Sequence, residues 1–288
     1  MRYGAVVPQG EMDGRYLDGL VKFAAALEDA GYDHVVVYDH VVGADSTVRP
    51  GWSGAYDHRS AFFEPLTVLA YLAGTTSFGL ATGVLVLPQR QTALVAKQAA
   101  TVDLLSGGRL RLGVGIGWND VEYDALGVAF ETRAARFEEQ IALLRRYWTE
   151  DVVTAEGRFD RVDAAGIWPP PVQRPIPIWI GSYTGGPALA RVGRVADGWM
   201  PPPTVQPGKG FEEAWTAISG AAVHAGRNPA AVAVEGHVRA GDPAKVSTRL
   251  ARWQDASVEW VVVNALHRDF AWPDGFIDAC RRSAEAFT

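Results

Sequence analysis

The chain alternates short apolar runs, rich in β-branched residues, with longer segments of helical periodicity. Two of the runs, Val35–Val37 and Val261–Val263, are valine throughout and have no polar face. Strands that are apolar on both faces are typical of parallel sheets covered by helices. The eight runs are Tyr3–Pro8, His34–Tyr38, Gly79–Leu87, Leu110–Gly115, Ile176–Gly181, Gly198–Met200, Val232–Val238 and Trp260–Asn264. Eight strands with seven or eight helices predict an α/β fold of the (β/α)8 TIM-barrel type, with an open doubly wound sheet as the main alternative.

The segments between the runs carry helix signals. Apolar residues recur with helical spacing between residues 17 and 27, Leu17 and Val21 among them, and Gly31 follows as the C′ residue. Asp242 is placed as the N-cap of a later helix, with proline in its first turn. These signals place helices between the predicted strands.

Three stretches do not fit the simple repeat. The first two, Val41–Arg59 and Asn119–Phe130, follow the second and fourth strands. The third, Val152–Pro175, precedes the fifth strand and is predicted to form a small hairpin and an extended arm. Loops after barrel strands form the active site, so the first two insertions are functional candidates. No break in composition divides the chain, and we expect one domain over residues 1–288.

Charge and composition exclude several classes of partner. The net charge is −6 with only four lysines, so no basic stripe for nucleic acid is present. The chain has one cysteine, Cys280, and no histidine motif with metal-ligand spacing, so we expect no metal site. No run of 18 apolar residues predicts a membrane span, and no signal peptide is recognised, so we expect a cytoplasmic protein.

The turn Gly181–Pro187 joins a buried strand to a helix. Its glycines free backbone N–H groups to face an anion, and Pro187 suits the first helical position. The helix dipole favours negative charge at this end, and phosphate is the natural ligand. A plain, tight strand-to-helix turn is the alternative interpretation.

Polar or small residues end other strands. Asp39 and His40 close the second strand, where a histidine can serve as general acid or base or can be purely structural. Gly83 and Val84 lie inside the third strand, and a glycine there often marks a bulge. The segment Gly113–Gly117 before Trp118 lacks the third glycine of a dinucleotide fingerprint at the required spacing, and we reject that interpretation.

Together these segments resemble the luciferase-like monooxygenase superfamily, and within it the oxidoreductases that use the deazaflavin coenzyme F420. The resemblance runs from Tyr3 to about Val263. Its strongest stretches are Tyr38–His40, Thr82–Leu85, Ser106–Asn119 and Ile180–Trp199. The order and spacing of these stretches are specific to the superfamily, and less so to the cofactor.

The resemblance implies roles for individual residues. It implies that the peptide bond between Gly83 and Val84 is cis and lies behind the flavin-like ring, that the Gly181–Gly186 turn holds the cofactor phosphate, and that His40 is the catalytic acid or base. The residues expected to bind the cofactor are Asp39, Gly83, Val84, Trp118, Asn119, Gly181, Ser182, Gly185 and Gly186.

The implied activity is hydride transfer between F420 and a small organic substrate. Related sugar-phosphate dehydrogenases carry a glutamate where this chain has Trp118 and Asn119, and lysines are few. We therefore expect a fairly apolar substrate beside Trp52, Trp118 and Trp168. An FMN-dependent monooxygenase supplied by a separate reductase is the alternative, and a non-catalytic flavin- or deazaflavin-binding protein is a second. The resemblance also implies a homodimer.

Overall fold

The computed structural model describes residues 1–49, 52, 54, 56–183 and 185–287. Its strands are β1 Arg2–Val6, β2 His34–Val37, β3 Gly79–Thr82, β4 Leu85–Val86, β5 Leu110–Gly115, β6 Val153–Glu156, β7 Arg161–Ala165, β8 Ile178–Gly181, β9 Gly198–Met200, β10 Ala233–Arg239 and β11 Trp260–Asn264. Its α-helices are α1 Tyr16–Asp29, α2 Pro65–Thr75, α3 Thr92–Leu105, α4 Asp120–Ala125, α5 Arg133–Thr149, α6 Gly186–Val195, α7 Lys209–His224, α8 Pro243–Asp255 and α9 Asp274–Ala284.

The parallel strands close into a barrel. Their order is β3-β2-β1-β11-β10-β9-β8-β5-β4, and a further pairing of β3 with β5 completes the ring. Because β3 and β4 both pair with β5, they are two pieces of one strand. The barrel therefore has eight strand positions in the described chain, and the predicted (β/α)8 fold is confirmed. The third strand breaks at Gly83–Val84, whose peptide bond is cis, as the resemblance implied.

Apolar side chains fill the barrel and the layer between barrel and helices. Those inside the barrel are Val6, Val36, Ala81, Trp179, Met200 and Val262. The end where the strands begin is closed by charged residues instead, because His34 and Arg111 both contact Glu235 there. This end is called the floor below, and the end where the strands finish is called the mouth.

The helix α1 has a narrower buried face than its sequence pattern predicts. Leu20 and Leu27 are buried, and Gly31 has φ of +80° as a C′ residue should. The expected inward positions Leu17 and Val21 are exposed instead. A helix on a barrel contacts its support from one side only, so the flanks of a broad apolar stripe remain in solvent.

The insertions have the positions predicted for them. The segment after β2 crosses the mouth, and Pro50, Gly51, Ser53 and Ala55 within it lie outside the described residues. The insertion after β5 forms α4, and β6 pairs with β7 in an antiparallel hairpin before β8. No helix in the described ranges has the length and apolar character needed to cross a bilayer.

Candidate active site

His40 follows β2 at the mouth and pairs with Glu122. Its Nδ1 lies 3.0 Å from Oε1 of Glu122, and the same oxygen accepts the Val41 amide at 2.8 Å. The Glu122 side chain is 1% exposed, whereas that of His40 is 14% exposed. Because a carboxylate only accepts hydrogen bonds, Nδ1 of His40 carries the proton and Nε2 remains available. The pair therefore has the form of a general acid or base with a fixed tautomer.

Glu122 belongs to α4 and carries no sequence signal that separates it from an ordinary helix cap. Asn119 is the N-cap of α4, accepting the Val121 amide at 3.1 Å, and its Nδ2 donates to the Val42 carbonyl at 3.1 Å. Glutamate three residues after such a cap usually turns back to the cap amide. In the structure, the Glu122 side chain instead reaches His40. The segment after β2 is therefore held by Glu122 of α4 and by Asn119, the N-cap of that helix.

Asp39 lies beneath His40 with its carboxylate inside the protein. Its Oδ2 accepts the Val86 amide at 2.8 Å and its Oδ1 accepts Nη2 of Arg90 at 2.8 Å. Burial raises the pKa of Asp39, while Arg90 and the Val86 amide oppose that rise. Both carboxylate oxygens of Asp39 have protein partners. A cofactor contact at Asp39, as predicted from the sequence, would therefore be made by its main chain, or one of its oxygens would have to exchange its present partner for the cofactor.

The Gly83–Val84 break creates a surface at the mouth, called the shelf below. The Gly83 amide donates to the Val37 carbonyl at 2.8 Å. The Val84 side chain packs on the main chain of Gly115 and Gly181, where an added Cβ would lie 2.6 and 2.7 Å from a Val84 methyl group. Glycine is thus required at both neighbours, because the Val84 side chain occupies the space that a Cβ would need.

A second group of small residues, called the cradle below, consists of Ser182, Gly185 and Gly186. The Ser182 hydroxyl accepts from Nε1 of Trp199 at 3.1 Å. Gly185 is the N-cap of α6 and offers no side-chain cap, and an added Cβ at Gly185 or Gly186 would meet nothing within 4 Å. Both glycines therefore border open space at the N-terminus of α6, where the helix dipole suits an anion. Thr184, within the predicted phosphate turn, lies outside the described residues.

His40 opens onto a cavity of about 330 Å³ lined by aromatic side chains. The ring centroids of Phe62, Tyr56 and Trp118 lie 4.7, 5.1 and 5.6 Å from that of the imidazole. A smaller cavity of about 150 Å³ adjoins it, since Tyr56, Phe62 and Ser60 line both. The imidazole thus lies beside aromatic rings in a partly open cavity that Asp57, His58 and Ser60 also line, and the cavity is large enough for a small organic molecule.

The three tryptophans expected near a substrate do not share one place. Trp118 lines the larger cavity, and the Trp52 ring lies 5.6 Å from it. Trp168 is 79% exposed on the arm before β8, where its carbonyl accepts Nζ of Lys97 of α3. Trp52 and Trp118 therefore lie together at the larger cavity, whereas the expected place for Trp168 is wrong, because the arm lies along α3 and does not reach either cavity.

Two tyrosines supply polar groups to the cavity walls. Burial, and next the carboxylate of Glu11, raise the pKa of Tyr56, and burial raises that of Tyr38. Both phenols therefore stay protonated near neutral pH and can donate hydrogen bonds. Asn264 Nδ2 donates to the Tyr38 hydroxyl at 3.4 Å, and Glu11 accepts the His267 amide at 2.6 Å. None of these residues was identified as a site residue from the sequence, since each is an isolated polar residue that no motif marks.

The predicted site residues come together at the mouth in three groups. His40, Trp118 and Asn119 line the larger cavity. Gly181 belongs to the shelf, since a Cβ added to it would meet the Val84 side chain, while Ser182 belongs to the cradle. The Gly181–Pro187 turn is therefore divided between the shelf, to which Gly181 belongs, and the cradle, to which Ser182, Gly185 and Gly186 belong.

The parallel barrel thus carries a glycine-lined shelf and a histidine–glutamate pair at the ends of its strands. Residues 1–277 match the family model of the luciferase-like monooxygenases. The match covers nearly all of the chain, so the chain belongs to this family and is an enzyme.

Similar proteins include two enzymes of named activity. The F420-dependent glucose-6-phosphate dehydrogenase of Segniliparus rotundus is 32% identical over 192 residues, covering 63% of this chain and 52% of that enzyme. A phthiodiolone/phenolphthiodiolone dimycocerosates ketoreductase of Mycobacterium kansasii is 34% identical over 178 residues, 60% of this chain and 47% of the ketoreductase. The chain thus matches about half the length of each.

Solved structures of similar fold bind either cofactor type. The F420-dependent tetrahydromethanopterin reductase of Methanopyrus kandleri has a TM-score of 0.76 at 17% identity, covering 99% of this chain and 97% of its own. The FMN complex of the oxygenating constituent of 3,6-diketocamphane monooxygenase from Pseudomonas putida has a TM-score of 0.71 at 14% identity, with 99% and 97% coverage. At these identities the likeness shows the fold alone.

Proposed function

We propose that the protein transfers hydride between coenzyme F420 and a small, largely apolar organic substrate, with His40 as general acid or base. The observation that carries the proposal is the His40–Glu122 pair, which opens onto an aromatic cavity beside the shelf. Relatives that use F420 support this choice of cofactor.

The residues at the mouth fit a deazaflavin in two places. The shelf would support the ring through the Val84 side chain, which packs on the main chain of Gly115 and Gly181. The cradle would hold the phosphate of the tail, since the N-terminus of α6 has neither a side-chain cap nor an acidic residue in its first turn. When bound, the deazaflavin supplies or accepts the hydride.

The chain itself handles the proton. Reduction of a carbonyl or an imine adds hydride to carbon and a proton to oxygen or nitrogen, and the reverse reaction removes both. Nε2 of His40 is placed to give or take that proton, because Nδ1 is occupied by Glu122. The Tyr56 hydroxyl on the same cavity wall can orient the substrate by donating a hydrogen bond.

The lining of the cavities indicates the type of substrate. Among the described residues, neither cavity is lined by a lysine or arginine. A phosphorylated or carboxylated substrate would lose its hydration without gaining a cation, which is unfavourable. The Phe62 and Trp118 rings favour an uncharged molecule with an apolar body.

Titration of the purified protein with oxidised and reduced F420, FMN and FAD tests the cofactor. We expect binding of F420 with a dissociation constant on the order of micromolar, and weaker binding of both flavins. Tighter binding of FMN would replace the proposal with an FMN monooxygenase supplied by a reductase. Failure to bind any of the three would overturn flavin-type chemistry altogether. A protein that binds F420 but turns over no alcohol, ketone or imine in a panel would be a binding protein.

A further inference from the structure

The Asp39 carboxylate connects β2 to the chain beyond the shelf. One oxygen accepts the Val86 amide and the other accepts the Arg90 guanidinium, each at 2.8 Å. The Asp39 side chain is 0% exposed. This arrangement of Asp39, Arg90 and the Val86 amide is called the clamp below.

The sheet topology explains why such a connection is needed. Strands β2 and β3 pair as far as Val37 opposite Thr82. After the break, β4 pairs with β5, and in the described chain it has no pairing with β2. An unpaired buried amide is unfavourable, and the Asp39 carboxylate accepts the Val86 amide in place of the missing strand partner.

Arg90 ties the clamp to the helices around the barrel. Its Nη1 donates to Oε1 of Glu64 at 3.1 Å, and Glu64 is the N-cap of α2. Its carbonyl accepts Nε2 of Gln140 of α5 at 2.9 Å. Asp39 is thereby fixed from outside the mouth, by groups that face neither cavity.

We propose that Asp39 is a positioning residue whose clamp sets the gap between the shelf and His40. His40 follows Asp39 directly, and the shelf ends two residues before Val86, so the clamp lies between the acid/base and the ring support. This inference rests on the proposed function. The competing view is that the Asp39 carboxylate contacts the cofactor itself, which would require an oxygen now held by Arg90 or Val86.

The test compares Asp39→Asn, Arg90→Met and the double variant. Both single variants break the same clamp, and a displacement of about 1 Å can lower the rate by ~100-fold. We expect each to lower kcat by ~10- to 100-fold with substrate KM nearly unchanged. The double variant should lie within about 3-fold of the slower single variant, since residues that act as one unit are not additive.

A second readout needs no cofactor. Hydrogen exchange at residues 84–90 of the cofactor-free protein should be faster in both variants, because the carboxylate that accepts the Val86 amide is replaced in Asp39→Asn and is no longer held by Arg90 in Arg90→Met. The matched control is Arg145→Met at the floor. There the Asp197 carboxylate accepts the Ile178 amide at 2.8 Å and Nη2 of Arg145 at 2.9 Å. Like Asp39, it joins the amide of a strand residue to an arginine, but it lies away from the mouth. This control should leave kcat and exchange at residues 84–90 unchanged.

The possible outcomes separate the two views. Wild-type turnover in Arg90→Met with loss in Asp39→Asn would overturn the clamp in favour of direct contact, as would multiplicative effects in the double variant. If Arg90→Met does not fold, Arg90→Lys replaces it in the test. Lysine keeps a charge opposite Asp39 but cannot bridge to Glu64, so turnover between that of the wild type and that of Asp39→Asn supports the clamp. A wild type that binds neither F420 nor FMN overturns the proposed function, while unchanged exchange at residues 84–90 overturns the clamp.

Discussion

A histidine–glutamate pair lies at each end of β2, with His34 at the first residue of the strand and His40 three residues beyond its last, and the two pairs have almost the same N···O distance. At the floor, Nε2 of His34 lies 2.9 Å from Oε2 of Glu235. At the mouth, Nδ1 of His40 lies 3.0 Å from Glu122. The floor pair is sealed, with His34 2% exposed, whereas His40 is 14% exposed and opens onto a cavity.

The surroundings decide what each pair does. Arg111 also contacts Glu235, and its guanidinium lies 4.3 and 4.5 Å from the ring centroids of Trp179 and Trp260. Burial raises the pKa of Glu235, but Arg111 and His34 outweigh it and bring the value to about 2. The floor pair is therefore a compensated structural charge, and the mouth pair is available for chemistry because one imidazole nitrogen is accessible.

The largest expected effect is on turnover and concerns the pair at the mouth. His40→Ala should lower kcat by ~10²- to 10⁴-fold while F420 affinity changes little, because a general acid/base is removed. Glu122→Gln should lower kcat less, since it alters only the partner of Nδ1. Steady-state kinetics and cofactor titration measure both effects. Equal turnover in His40→Ala and wild type would show that the mouth pair is not catalytic.

The next effect concerns stability at the floor. Glu235→Ala leaves Arg111 buried without its carboxylate, and should lower the free energy of unfolding by about 3–5 kcal/mol. Urea unfolding followed by circular dichroism measures the change. Glu122→Ala is the matched control at the mouth and should be less destabilising, since His40 can reach solvent. The reverse ranking of the two variants would contradict the comparison.

Acid should destabilise the protein through the buried histidines of the barrel. Burial lowers the pKa of His237 from 6.5 to about 4 and also lowers that of His34, so the unfolded chain binds protons first as the pH falls. For His237 alone, the loss between pH 7 and pH 5 is ~2 kcal/mol. Glu235 adds a further loss as the pH falls from 4.5 towards 2. Urea unfolding at several pH values should show this decline.

The variant His237→Gln is the control for this decline. Glutamine does not titrate, so the fall in unfolding free energy between pH 7 and pH 5 should be smaller than in the wild type. An identical pH profile in the two proteins would rule out His237 as a source of the acid sensitivity.

The smallest expected effect compares one glycine at each end. An added Cβ at Gly181 would lie 2.7 Å from a Val84 methyl group, and one at Gly4 would lie 2.2 Å from Nε2 of His34. Gly181→Ala should weaken cofactor binding by ~10-fold, about 1.4 kcal/mol, because it displaces the shelf. Gly4→Ala should lower stability by about 1–3 kcal/mol through overpacking and leave affinity unchanged.

Calorimetric titration and urea unfolding of both variants measure these effects. Gly220→Ala in the middle of α7 is the control, because its Cβ would meet nothing within 4 Å and helix propensity should stabilise it by ~0.5–1 kcal/mol. Weaker cofactor binding in Gly4→Ala would show that the floor and the shelf are coupled.

Much of the site was predicted from the sequence, because strand ends in a barrel meet at one mouth. His40, Gly181 and Ser182 were placed there from their positions after apolar runs. The partners of the polar residues were not predicted. Glu122 lies 82 residues from His40, and Arg90 lies 51 residues from Asp39, so no local pattern links them.

The sequence by itself determined the eight strands, the helices between them and the small residues at the mouth, because these follow from periodic burial and backbone sterics over a few residues. Only the tertiary structure decided which histidine is sealed and which is open. His34 begins β2 and His40 lies six residues later, beyond the end of the strand, and each pairs with a glutamate from a distant segment. Closure of the barrel brings those segments together, and solvent access at the mouth leaves one of two similar pairs free to act.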